Sequence, residues 1–80
     1  MLESAQIRAA RGLLGWRQAE LAERAGIGLA TLRRLEQSPA GRPVMAHVST
    51  VMRILECFEK EGVVFLDRGA EGGVGVRLVR

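Results

Sequence analysis

Two adjacent arginines, Arg33 and Arg34, lie near the end of the segment LATLRRLE at residues 29–36. A guanidinium group carries a planar fork of donors that matches a phosphate or the edge of a guanine. Eleven of the chain's twelve basic residues are arginine, which favours such bidentate contacts. This composition indicates nucleic-acid binding, although a GC-rich coding sequence would produce the same bias. The two arginines could also be solvated surface charges.

The positive charge of the chain is confined to one half. The net charge is +3 over 80 residues, and residues 1–43 carry all of it, while residues 44–80 are neutral. A chain of this length forms one small domain. We therefore expect the first half to meet a negatively charged partner.

The residues needed for other chemistries are missing from the pattern. His47 is the only histidine, so a metal site would lack further ligands, and the segment GGVGVR opens no helix and is not a nucleotide fingerprint. No nucleophile with a base and no carboxylate pair is readable. Cys57 falls between apolar residues and is read as a core residue, and a single cysteine suits a reducing cytoplasm. We expect no catalysis, cofactor or metal, and no membrane segment or signal peptide, hence a cytoplasmic protein.

Three short helices are predicted from apolar spacing and glycine stops. The first covers residues 4–12 and is ended by Gly15, the second covers residues 18–25 and is stopped by Gly26, and the third runs from Gly28 to about Gln37. The first helix places its apolar residues on one face: Ile7, Ala10, Leu13 and Leu14. Trp16 is predicted to wedge between the first two helices rather than to stack on a base.

A fourth helix and a hairpin follow a loop rich in proline and glycine. Ser49 is the predicted N-cap of this helix and Gly62 its end, with an apolar face formed by Val51, Ile54, Leu55 and Phe58. Two strand-like runs, VVFLD and VGVRLV, are joined by RGAEGG. The first run, residues 63–66, is apolar without alternation, which predicts burial on both faces. The chain thus divides into helices at 1–62 and a hairpin at 63–80.

The second and third helices satisfy the pattern of a helix-turn-helix in one register. Two helices that cross steeply need a small residue at their closest approach, a glycine in the turn and apolar residues in the wedge between them. The chain supplies all seven: Leu21, Ala22, Ala25, Gly26, Ile27, Leu32 and Leu35.

This stretch resembles the phage-repressor and Cro-like (XRE) helix-turn-helix family. The matching segments are QAELA in the second helix, RRLE in the third and RP in the loop, and the likeness covers roughly residues 5–62. The run EGVVFL…GVRL resembles the tail of short bacterial regulators of this family. The resemblance implies a mainly α fold, a lambda-repressor-like domain of four or five helices with a C-terminal β-hairpin.

The resemblance also implies roles for matching residues. The third helix would lie in the major groove and read bases through Leu29, Ala30, Arg33 and Arg34. Phosphates would be met by Arg17, Gln18, Gly28, Thr31 and Arg42. Arg11 and Glu36 match a pair that bridges the first helix to the end of the third. The chain departs from the family at Leu29 and Ala30, which offer only apolar contacts such as to thymine methyls, and at Arg17, which replaces the usual capping side chain.

The sequence therefore predicts a transcriptional regulator that binds double-stranded operator DNA as a homodimer on a pseudo-palindrome. An antitoxin or mobile-element control protein that also holds a second protein is one alternative. An interaction module that does not bind DNA is another. The predicted dimerisation element is the hairpin, through Val63, Val64, Phe65, Leu66, Val74, Val76 and Leu78, because an apolar edge strand invites a second copy. The hairpin could instead fold back on its own helices.

Overall fold

The computed structural model describes residues 2–69 and 72–80, and within them it is mainly helical with a C-terminal hairpin. The predicted fold class is thereby confirmed, with four helices among the described residues. The elements are α1 Ser4–Leu14, α2 Gln18–Ala25, α3 Leu29–Glu36, α4 Val48–Glu59, β1 Val63–Leu66 and β2 Gly75–Leu78. Residues 70 and 71 of the predicted hairpin turn lie outside the described residues.

Two glycines end the first two helices. Gly15 and Gly26 adopt the left-handed conformation, with φ of 69° and 70°, which a side chain would disfavour. The predicted bounds of α2 are correct. The predicted end of α1 at residue 12 is wrong, because the helix runs on to Leu14. The backbone N–H of the C-cap residue Gly15 donates to the carbonyl oxygens of Arg11 and Gly12.

The predicted limits of α4 are also wrong. The helix begins at Val48, and its N-cap is His47, two residues before the expected cap Ser49. It ends at Glu59 rather than at Gly62. Because neither end carries a side-chain cap or a left-handed glycine, the usual local signals are missing. Gly62, with φ of 90°, instead turns the chain into β1.

The helices share one apolar core. Its fully buried centre contains one residue or more from each helix: Ile7, Ala10, Leu21, Leu32, Leu35, Ile54 and Phe58. Leu13, which we expected on the inner face of α1, is 42% exposed. Trp16 packs against α4 rather than only between α1 and α2, since its ring stacks on Phe58 with centroids 5.5 Å apart.

The hairpin packs on the helices of its own chain. The strands pair antiparallel, with Val63 opposite Leu78 and Phe65 opposite Val76, and these four side chains face the core. Val64 is 38% exposed and Leu66 39% exposed. Within one chain the strand therefore alternates between the core and solvent, and the chain's own helices cover only one of the two faces that we expect to be buried.

A buried glutamine attaches the hairpin to α1. The Gln6 Nε2 group donates to the backbone oxygens of Leu66 and Gly75, both at 3.1 Å. The Gln6 Oε1 atom accepts from the backbone N–H of Glu3 at 2.9 Å. One side chain therefore joins the start of α1 to both strands.

Candidate nucleic-acid interface

The turn between α2 and α3 is held by backbone hydrogen bonds and by one arginine. The N–H of Ile27 donates to Ala22 at 3.0 Å, and Gly28 is the extended N-cap of α3. Arg53, on α4, donates from Nη1 to the carbonyl of Gly26 at 2.9 Å. Nothing in the spacing pointed to Arg53, because the contact joins elements that are distant in sequence.

Helix α3 presents a polar face to solvent. Ala30, Arg33 and Arg34 are exposed, whereas Leu32 and Leu35 are fully buried on the opposite side. Leu29 is half-buried and packs against the core, so it offers less surface than a free leading residue. Of the four predicted base-reading residues, three therefore lie fully on the open face.

Arg34 makes a contact that the sequence did not reveal. Its Nη1 atom donates to the carbonyl oxygen of Met45 at 3.2 Å. Arg34 also lines a shallow depression together with Thr31 and His47. The loop before α4 thus contacts the guanidinium end of the Arg34 side chain. Among the described residues, Arg33 has no such contact.

The first turn of α2 is open at its N-terminus. Arg17 is its extended N-cap and is exposed, and its side chain makes no capping hydrogen bond. The first backbone N–H groups of a helix lack partners within the helix and carry partial positive charge. The end of α2 can therefore receive an anion.

Glu36 lies beneath this end and accepts hydrogen bonds from two predicted site residues. Arg11 donates from Nε and Nη2 to the two carboxylate oxygens, both at 2.7 Å, and Gln18 donates from Nε2 to Oε1 at 3.0 Å. The Glu36 residue is only 3% exposed. Arg8 donates to its backbone carbonyl. The structure thus brings Arg11, Gln18 and Glu36 together at the junction of α1, α2 and α3.

The remaining predicted phosphate contacts make no described hydrogen bond to this junction. Gly28 and Arg42 are exposed, and Thr31 is half-buried beside Arg34. The loop that carries Arg42 is attached to the chain's start, where the N–H of Val44 donates to the carbonyl of Leu2 at 2.9 Å. The structure does not join Arg17 or Arg42 to the other predicted residues by a described contact.

Comparison with protein families decides the class of the protein. A family model described as Helix-turn-helix matches residues 7–60, which is more than half of the chain. The chain belongs to this helix-turn-helix family. No curated protein sequence matches it. The family comprises Cro- and repressor-like DNA-binding regulators and is not a family of enzymes, so the predicted family is confirmed.

The helix-turn-helix of this chain is formed by α2, α3 and the turn between them. The matched region contains both helices, their turn and α4, whereas the hairpin at Val63–Leu66 and Gly75–Leu78 lies outside it. No helix within the described residues combines the length and apolar content that crossing a membrane requires.

The single cysteine of this helix-turn-helix protein lies away from α3. Cys57 is half-buried on α4, and burial raises the pKa of its thiol more than the nearby Arg24 lowers it. A thiol with a raised pKa is a weak nucleophile at neutral pH. This agrees with its interpretation as a core residue.

Proposed function

We propose that this helix-turn-helix regulator is a cytoplasmic bacterial transcription factor that binds a pseudo-palindromic operator as a homodimer. The observation that carries the proposal is the open face of α3. Arg33 and Arg34 are exposed on this face, and the last residue of α3, Glu36, contacts Gln18 at the uncapped N-terminus of α2. A helix of eight residues with this flank fits the major groove. No catalytic step is part of the proposal.

Base reading would depend mainly on the two arginines. Each can bond the O6 and N7 atoms of guanine, and Arg33 has the freer guanidinium because Arg34 is held by Met45. Ala30 is exposed and can contact a thymine methyl group, and Leu29 can do so with its open half. We therefore expect a half-site that contains both guanine and thymine.

Phosphate contacts would position α3 on the duplex. The donors we assign to this role are Arg17, Gln18, Gly28, Thr31 and Arg42. The end of the α2 dipole and the excess of arginine in residues 1–43 support the assignment. Such contacts carry affinity without sequence preference.

The hairpin remains our candidate for the dimer contact, with fewer residues than the sequence predicted. Its inner face belongs to the chain's own core, so Val63, Phe65, Val76 and Leu78 are not free for a partner. The outer face keeps Val64, Leu66 and Val79 in solvent. We therefore assign the dimer contact to this outer face.

Selection of bound duplexes from a random pool tests the proposal. Purified protein should enrich an inverted repeat whose half-sites are centred about one helical turn, or ~34 Å, apart. Replacing Arg33 and Arg34 together by alanine should abolish the enrichment while leaving weak binding to every duplex. Recovery of a random pool by the wild-type protein would contradict sequence-specific regulation.

A further inference from the structure

The Gln18 carboxamide at the start of α2 is hydrogen-bonded to a buried carboxylate, that of Glu36. Its Nε2 atom donates one of its two hydrogens to the Oε1 atom of Glu36 at 3.0 Å. A glutamine amide has two N–H donors and one acceptor oxygen. With one hydrogen engaged, the second N–H and the carbonyl oxygen remain for other contacts.

The Glu36 carboxylate is also bound by Arg11. Arg11 donates two hydrogen bonds of 2.7 Å to the Glu36 carboxylate and a third, of 3.0 Å, to the carbonyl of Trp16. The Glu36 side chain is 2% exposed and the Arg11 side chain 19% exposed. Because the Glu36 carboxylate is buried and accepts two hydrogen bonds from the planar guanidinium group of Arg11, it is a rigid acceptor for the Gln18 amide.

We propose that Glu36 is a positioning residue, which aims the free N–H of Gln18 at a DNA phosphate seated on the N-terminus of α2. The proposal rests on the proposed function, since it concerns the DNA backbone contact of the regulator. Glu36 touches no DNA in this scheme. It acts by removing the freedom of the Gln18 side chain before the duplex arrives.

The local sequence explains why the acid has this task. The leading residue of α3 is Leu29, whose side chain cannot hydrogen-bond the amide. The acceptor that the structure places against the amide is the carboxylate of Glu36, the last residue of α3. The first residue of α2 and the last residue of α3 are thereby joined by one hydrogen-bonded cluster.

Two substitutions form a test. Glu36→Asp keeps the charge that pairs with Arg11 but shortens the side chain by one methylene, which withdraws the oxygen from Gln18. Gln18→Met keeps the length of the side chain and removes the amide. Affinities for the selected operator and for a random duplex are measured by fluorescence titration for the wild type, the two single variants and the double variant, below each variant's melting temperature.

The expected result is a non-additive cycle. Glu36→Asp should weaken binding to both duplexes by about fivefold to tenfold, which is within the cost of immobilising one flexible side chain at an interface. In the Gln18→Met background the same change should weaken binding by less than about twofold. An equal loss in both backgrounds would mean that Glu36 acts only through the fold, and no loss in the wild-type background would also overturn the proposal.

A second measurement leaves Glu36 unchanged. In NMR spectra of the free wild-type protein, one side-chain amide proton of Gln18, assigned by its absence in Gln18→Met, should exchange with water more slowly than the other. Addition of duplex DNA should then protect the second proton. Equal, fast exchange of both protons in the free protein would overturn the positioning role. Failure of the wild type to bind any duplex would instead count against the proposed function, while the free-protein spectrum would still report the contact.

Discussion

Arg68 donates two hydrogen bonds, of 2.9 and 3.0 Å, to the carboxylate of Glu3. The Glu3 side chain is 6% exposed, whereas that of Arg68 is 53% exposed. Glu3 immediately precedes α1. Its backbone forms an isolated antiparallel β-bridge with Pro43, in the loop that carries Arg42. The ion pair therefore fastens the end of β1 to the start of the chain and to a loop that we assign to the DNA backbone.

Arg68→Ala should destabilise the protein, because it leaves a buried carboxylate without its charged partner. Chemical denaturation followed by circular dichroism measures the change. The double variant Glu3→Gln with Arg68→Ala should lose less than Arg68→Ala alone, since a neutral amide has no charge to bury. A double variant less stable than Arg68→Ala would indicate that Glu3 does not depend on this arginine.

Two glycines should respond to alanine in opposite directions. Gly62 has φ of 90°, and a Cβ there would lie 2.7 Å from the carbonyl oxygen of Val79, so Gly62→Ala should cost more than about 1 kcal/mol. Gly12 lies within α1 and has open space around an added Cβ, so Gly12→Ala should gain about 0.5–1 kcal/mol. Thermal melts of the two variants give the comparison, and a shift in the same direction for both would contradict it.

The buried pair Arg11 and Glu36 predicts a second non-additive effect, now in stability. Either residue changed to alanine leaves the other charge unpaired, at a cost that reaches ~3–5 kcal/mol when burial is deep. The double alanine variant should cost less than the two single losses together. Denaturant titrations of the three variants test this, and strictly additive losses would show that the ion pair has no energetic coupling.

The parts of this fold that were predictable are those with local causes. The end of α2 and the turn after it follow from Gly26 and from apolar residues within a span of one short helix on each side. The helix-turn-helix pattern is local for the same reason. The start of α4 was missed because its cap, His47, makes no side-chain hydrogen bond and so leaves no recognisable signature.

The contacts that shape the candidate site connect distant parts of the chain. Arg53 reaches the carbonyl of Gly26, and Gln6 reaches the backbone of Gly75, 69 residues away. Such pairs depend on how the helices pack, which no spacing in the sequence encodes. The packing of the hairpin has the same kind of cause: its apolar run shows no alternation in sequence, yet every second side chain points away from the helices because only one face meets them.

Arg34→Ala should weaken binding to the selected operator by ~1–3 kcal/mol and relax the preference at one base pair, because a bidentate contact to guanine is lost. Arg42→Ala is the matched control on the phosphate side. It should weaken binding to all duplexes alike and lower the slope of affinity against salt by about one.

The contact of Arg34 with Met45 supplies the competing explanation for that result. If Arg34 only braces the loop before α4, its removal should lower the melting temperature and weaken operator and random duplexes by the same factor. Titrations against both duplexes, with a melt of the same variant, separate base reading from bracing.

Dimerisation through the outer face of the hairpin gives the last prediction. Deleting residues 63–80 would not test it, because Val63 and Phe65 complete the core and the helices would lose their packing. Val64 and Leu66 are partly exposed on the opposite face, so Val64→Lys with Leu66→Lys adds charge there without opening the core. Two like-charged faces should repel and water should be retained around the ammonium groups. We expect this double variant to sediment as a monomer and to bind single half-sites without cooperativity.

The control, Val48→Lys with Met52→Lys, places the same charges on exposed apolar residues of α4 and should remain dimeric. A dimer that survives the first pair of substitutions but not the second would move the interface from the hairpin to α4.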